Sequence, residues 1–298
     1  MRLKPIFVVT LACILVASLA ISGHGESENP LDSAIQQGSN GQFDLAKSTV
    51  EHVLKLDPWN ERAKELLRLA NEAIVAKADS ETIVHLFRAA QLRNKGSLDR
   101  TFSEIDLAMK RSPDYALVYL HRGNARLANG TVESAIADYD RAISLDSSDA
   151  VAYYNRGVAY VSKRQYSNAI ADFSKAIALD PTDVASYKNR GNANQVLGKH
   201  DEALADYDSA IAINPRDAHA FYNRAEEWSR SGQYDKAIAD YGKAIELDND
   251  FAEAYDSRGF VYLVKLGKTQ LACADWKRAC ELGRCRNYNL AKSKGYCK

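Results

Sequence analysis

The 298-residue chain lacks an excess of either charge: 39 Lys and Arg stand against 39 Asp and Glu. With that balance and no local Lys/Arg block, the sequence-independent attraction to phosphate used by nucleic-acid binders is missing, and nucleic acid is excluded as an expected partner. Proline (6) and glycine (16) are sparse, while 46% of residues are apolar, so the chain is neither a linker nor a disordered tail. The six histidines, at 24, 52, 85, 121, 200 and 219, include no pair three or four residues apart, which removes a helix-borne metal site. There is no Gly-x-Ser-x-Gly. Gly267-Lys268-Thr269 lacks the glycine five residues earlier that a phosphate loop needs, because Tyr262 stands there, and it reads as a helix-to-helix turn. No catalytic residue, metal or cofactor is expected, and the chain does not read as an enzyme.

The first residues differ from the rest. Arg2 and Lys4 precede an apolar stretch from Ile6 to Ile21 that ends among small residues. Residues 1–22 read as a secretory signal peptide, cleaved after Ala20 or Ser22. The alternative is an uncleaved anchor over residues 6–21, at the short edge of what spans a bilayer. Either way the remainder is expected outside the cytoplasm, periplasmic or secreted, touching a membrane only through this segment if it is not cleaved. Cys13 reads as an apolar residue of the leader.

What the sequence has in abundance is repetition. Arg88, Arg122, Arg156, Arg190, Arg224 and Arg258 recur every 34 residues. Around one of them lie Tyr153, Gly157 and Tyr160, then Ala169, Ile170, Phe173, Ala176 and Ile177, each set three or four residues apart on one helical stripe. Pro181 after Asp180 then ends the second helix, since proline offers no amide donor and pushes its predecessor out of the helical region. Each unit therefore predicts two amphipathic helices. Six units cover 82–283, the last with a one-residue insertion near Lys265 to Gly267; a weaker unit spans 27–60, and 61–79 reads as one unpaired linking helix with Ala63, Leu66, Leu67, Ala70, Ala73 and Ile74 on its stripe. Ala225 replaces the glycine of its unit and is expected to widen that helix pair.

An acid follows each arginine after sixteen residues: Arg122 with Asp138, Arg156 with Asp172, Arg190 with Asp206 and Arg224 with Asp240; Arg88 has Glu104, and Arg258 has Asp275 after seventeen. Six such matches predict structural ion pairs rather than a basic stripe offered to ligands.

The pattern of aromatic, glycine, aromatic, alanine, aromatic, alanine and proline resembles the tetratricopeptide repeat. The resemblance implies an all-α superhelical solenoid of antiparallel helix pairs whose first helices line a concave face that holds a peptide segment of a partner protein. It places Leu117, Leu120 and Asn124, then Val151, Tyr154 and Val158, then Ala185, Lys188, Asn192 and Gln195 on that face. His219, Tyr222, Glu226 and Arg230 follow, and Glu253, Asp256 and Phe260 end it. Lys188, Asn192 and Arg230 stand nearest to the Lys/Asn/Arg carboxylate clamp of some members, without completing it. The function implied is a non-catalytic scaffold; the alternative is a regulatory or anchoring subunit of an exported enzyme or envelope-assembly complex.

Outside the leader, all four cysteines lie in the last 26 residues. Cys273 and Cys280 are two turns apart on one helix, about 10.5 Å, too far to bond. If Gly283 ends that helix and the chain folds back over 284–298, Cys273 meets Cys297 and Cys280 meets Cys285. These disulfides would staple a C-terminal capping helix over the open end of the stack. A four-Cys zinc site lacks its Cys-x-x-Cys knuckle.

Overall fold

The structure is a computed structural model that describes residues 29–75 and 79–298. The expected leader, the alternative anchor at 6–21 and Cys13 lie outside the described residues. Among the described residues only helices and turns occur, in two compact units divided between Ala125 and Arg126.

Unit 1 holds α1 (Pro30–Ser39), α2 (Phe43–Leu56), α3 (Glu61–Ile74), α4 (Ser80–Asn94), α5 (Leu98–Arg111) and the start of α6 (Ala116–Ala128). α1 pairs with α2 and α4 with α5, and α1 lies against α4. Gly38 permits that approach: a Cβ there would sit 2.5 Å from the Phe87 ring, which also stacks on Phe43. The helix at 61–79 is not unpaired. α3 packs against α2 and also touches α1 and α4, and it buries Ala63, Leu66, Leu69 and Ala70 while Ile74 is exposed. Its burial is fixed by polar ties at both sides, Arg62 to Asp32 (2.6 Å) on α1 and Arg93 of α4 to both oxygens of Glu65. Burial pushes the Glu65 carboxyl up, but Arg93, His121 and Arg62 more than reverse this, and it stays below the ordinary glutamate value. The pairing of Arg88 with Glu104 is also replaced. Arg88 donates to the Ser39 carbonyl, and Glu104 meets His85 Nδ1 at 2.7 Å; glutamate is one methylene longer than the aspartate of the other units and meets a residue one turn nearer the start of α4. Arg122 rests its guanidinium over the Tyr119 ring and donates to Met109 Sδ.

Unit 2 continues with α7 (Val132–Leu145), α8 (Ala150–Ser162), α9 (Tyr166–Leu179), α10 (Val184–Val196), α11 (His200–Ile213), α12 (Ala218–Arg230), α13 (Tyr234–Leu247), α14 (Ala252–Phe260), α15 (Thr269–Glu281) and α16 (Arg286–Ser293). α8 pairs with α9, α10 with α11, α12 with α13 and α14 with α15, and each pair stacks on the next. One ring of each second helix is buried under a small residue of the first. Phe173 lies under Gly157, Tyr207 under Gly191 and Trp276 under Gly259, where an added Cβ would stand 2.7, 2.7 and 2.8 Å from the ring. Ala225 does not expose its unit: it is fully buried in one cluster with Tyr241, itself 1% exposed.

The arginines lock this stack. Arg156 donates Nε and Nη2 to the two oxygens of Asp172 (2.8 and 2.7 Å) and Nη1 to Asp140 of the preceding second helix (2.6 Å). Arg190 does the same with Asp206 and Ser174, and Arg224 with Asp240 and Asp208. Each guanidinium also covers the ring three residues before it, Tyr153, Tyr187 or Phe221. Asp138 accepts a bond from Arg126 (2.8 Å), one turn beyond the repeating arginine position. In the last repeat the inserted residue is absorbed by a π turn, Val261–Lys265. Arg258 still holds Asp275 by two bonds of 2.8 Å.

Turns between repeats cap the next helix. Asp149, Asp183 and Asp217 accept backbone amides at the starts of α8, α10 and α12. The chain ends in a small cluster of Ala272, Trp276, Ala291 and Cys297, with Cys273 bonded to Cys297 and Cys280 to Cys285.

Within the pairs the tight turn uses a left-handed residue, Gly130, Gly198 and Gly232, but Arg164 fills the equivalent place at φ 59°. Arg164→Gly is expected to stabilise the protein by about 1 kcal/mol, seen as a higher urea midpoint with unchanged slope. Asp206→Ala leaves the Arg190 guanidinium without its acceptor and should cost about 3–5 kcal/mol, whereas Asp208→Ala, at an exposed outer contact, should cost less than about 1 kcal/mol. Equal losses in the two urea titrations would show that the inner pairs do not hold the stack.

Candidate functional site

The first helices of unit 2 lie side by side, α8 against α10 and α10 against α12. Residues on their shared face bond across the gaps. Asn189 Nδ2 donates to the Tyr154 hydroxyl (3.0 Å), Asn223 Nδ2 to Asn192 Oδ1 (3.1 Å), and Gln195 Nε2 to the buried Glu227, which also meets His200 Nδ1 (2.6 Å). Tyr222 tilts onto Tyr241 and Phe251, and His219 stands edge-on to Phe251 with centroids 4.7 Å apart. The face is a set of half-buried rings and amides fixed in position.

The fixing comes from below. The ring that passes under each small residue ends beside the next residue of the first helix. Where the ring is tyrosine, its hydroxyl donates to that residue: Tyr207 to Asn192 (2.7 Å) and Tyr241 to Glu226. Where it is Phe173 or Trp276, the residues above are Val158 and Phe260, and Trp276 Nε1 turns to the Asp256 carbonyl (3.0 Å). Burial, with the nearby carboxylates, pushes the Tyr207 and Tyr241 hydroxyls well above the ordinary tyrosine value, so both remain donors at any physiological pH. This link between ring chemistry and surface chemistry is present in the sequence at a spacing of fifteen residues, but only the hairpin geometry gives it meaning.

Towards the C-terminal end the face deepens into a cavity of about 390 Å³ lined by Glu226, Ser229, Arg230, Tyr234, Tyr241, Asp256, Ser257, Phe260, Lys265 and Asn287. Burial pushes the Asp256 carboxyl above the ordinary aspartate value, although the Asn287 amide (2.8 Å) and Arg284 act the other way.

Of the residues expected on the face, Tyr154, Asn192, His219, Tyr222, Glu226 and Arg230 share it as described. Leu117 and Leu120 are buried in unit 1, 2% and 3% exposed, and do not line an open surface; Asn124 is half-buried on α6. The Lys/Asn/Arg clamp is not assembled. Lys188 Nζ is 2.6 Å from Asp217, the cap of α12, and Asn192 already accepts two bonds. Lys188 is therefore not offered to a carboxylate. Lys265 and Asn287 were not expected here: the π turn carries the first into the cavity, and the folded-back end carries the second. Among the described residues no group of three or more His, Cys, Asp or Glu could hold a metal ion.

Family models of the tetratricopeptide repeat match residues 150–183 and 184–217, and a second repeat model matches 123–163 and 230–263. Over residues 123–217 and 230–263 the chain is similar to the tetratricopeptide-repeat family. It is similar to the crystal structure of YrrB, a repeat protein described as having an unusual peptide-binding site, at 26% identity and a TM-score of 0.53 over 64% of this chain and 97% of that one. MamA is similar at 27% identity and a TM-score of 0.52, over 60% of this chain and 94% of that one. PilF of Pseudomonas aeruginosa shares the fold alone, at 15% identity with a TM-score of 0.65 over 72% of this chain and 98% of that one. No curated protein matches. Tetratricopeptide-repeat proteins are generally scaffolds rather than enzymes.

If Lys188 serves the turn below α12 rather than a ligand, Lys188→Ala should lower stability by about 1 kcal/mol, the scale of a partly buried pair. Urea unfolding reads this loss, and an unchanged midpoint would return Lys188 to the set of free groove cations.

Proposed function

We propose that unit 2 is a non-catalytic docking module that holds an extended segment of a partner protein across its first helices. The observation that carries this reading is the fixed row of side chains from Val151 and Tyr154 through Asn192 and Tyr222 to Phe260. It combines exposed apolar surface, Val151 at 43% and Phe260 at 44%, with amides and hydroxyls whose positions are set from within. Preorganised rings and amides suit peptide recognition, because little side-chain freedom is lost on binding. The described binding site of YrrB lends the reading support by similarity.

The module is proposed to work outside the cytoplasm. Two disulfides in the last 26 residues support an oxidising compartment, and the apolar N-terminal stretch is the sequence feature that would deliver the chain there. Among the described residues no helix is long and apolar enough to cross a membrane.

A random peptide library displayed against the oxidised full chain tests the assignment. Selected peptides should lose at least tenfold in affinity on Val151→Asp or Phe260→Asp and keep it on Leu271→Asp, an exposed position on the second helix α15. Binding that survives both groove substitutions would remove the docking site from this face.

A further inference from the structure

The face of unit 2 pairs its charges almost throughout. Lys188 takes Asp217, Gln195 and His200 take Glu227, and Arg284 takes Glu253 at 2.7 Å. The cavity at the capped end departs from this. Glu226 accepts the Tyr241 hydroxyl and has no cation within 4.0 Å, and Asp256 accepts the Asn287 amide with Arg284 at 4.0 Å. On the other side, Lys265 has no carboxylate within 4.0 Å and lies over the Tyr234 ring, while Arg230, 56% exposed, stands 3.9 Å from Glu227. Two loosely held cations and two half-buried acids thus line one cavity without neutralising each other.

Their arrangement is ordered. Glu226 lies one turn before Arg230, the last residue of α12, and Asp256 lies midway along α14, before the π turn that ends at Lys265. A chain crossing these helices would meet an acidic edge on one side and a basic edge on the other, with Phe260 between. Successive side chains of an extended chain point to opposite sides. Half-buried acids facing exposed, loosely held cations favour a ligand that brings the complementary pair.

We propose, resting on the docking reading above, that this cavity selects an extended partner segment in which a basic residue adjoins an acidic one. The basic side chain enters between Glu226 and Asp256, and the acidic side chain lies against Arg230 and Lys265. A segment of one charge sign satisfies one edge and is repelled at the other.

Five blocked, fluorescent decapeptides test it. They share a Val, Tyr and Ser background and differ only in the central pair: Lys-Glu, Glu-Lys, Lys-Lys, Glu-Glu or Ala-Ala. Fluorescence anisotropy with the oxidised full chain should show one of the two mixed pairs binding at least tenfold tighter than Lys-Lys, Glu-Glu and Ala-Ala. Glu226→Gln should erase its advantage over Glu-Glu, and Arg230→Gln with Lys265→Gln should erase its advantage over Lys-Lys, each variant retaining the parent far-UV dichroism and melting curve. Equal binding of all five peptides overturns the charge selection and leaves the docking reading standing. Failure of both mixed pairs to bind at millimolar concentration also overturns it, and the docking reading then stands or falls on the random library.

Discussion

Three repeats of unit 2 turn on one contact, an arginine fork closed on a buried aspartate sixteen residues later, and the last repeat keeps the fork at seventeen. The arginine sits on the first helix, its acceptor on the second, and its remaining amine reaches the second helix of the preceding repeat at Asp140, Ser174 or Asp208. One side chain therefore ties three helices. The aspartates are 4–8% exposed, and a carboxylate at that depth is tolerable only because two charge-assisted bonds meet it. The fork is planar and has one good orientation. Any slip of one helix along its neighbour would break both bonds and strand the charge, so the pairs determine register even where their net contribution to stability is small.

The last repeat shows how strict that register is. One residue more separates Arg258 from Asp275 than in the other repeats. The extra residue is taken up in a π turn, a poorer form of helix than the one it interrupts, and the fork is kept. Trp276 likewise returns to its place under Gly259. The cost of a distorted turn is evidently lower than that of a displaced pair and a displaced ring. The same distortion has a consequence on the surface, because Lys265 then ends in the cavity beside Tyr234.

Much of this was legible in the sequence, and the parts that were not share a cause. The period, the helix pairs and the arginine–aspartate matches are written every 34 residues, so six copies average out local noise. What appears once is read less well. α3 showed an apolar stripe, but its packing depends on α2 and α4 and on Arg62 and Arg93, and a stripe alone does not say what covers it. Arg88 and Glu104 matched the spacing, yet His85 was closer to the longer acid. Lys188 matched a groove position, but groove positions of one repeat adjoin caps of the next, and Asp217 claimed it. Spacing identifies which residues can meet; competition among near neighbours decides which do.

The capped end follows from the same reasoning about unmet surfaces. A repeat in mid-stack has its first helix covered by the first helix of the next, and the series must stop somewhere. Here α16 takes the covering place: Asn287 reaches Asp256, and Arg284 reaches Glu253, across a gap of 31 residues, close to the repeat period. At eight residues, α16 is too short to hold that position through its own burial. It buries Ala291 fully and little else, so two covalent links supply what a complete repeat would gain from packing, one at each end of the fold-back. A short cap also covers only part of α14. Phe260, Lys265 and the carboxylates of Glu226 and Asp256 are left along its margin, and the open charges of unit 2 gather where the periodic pairing runs out.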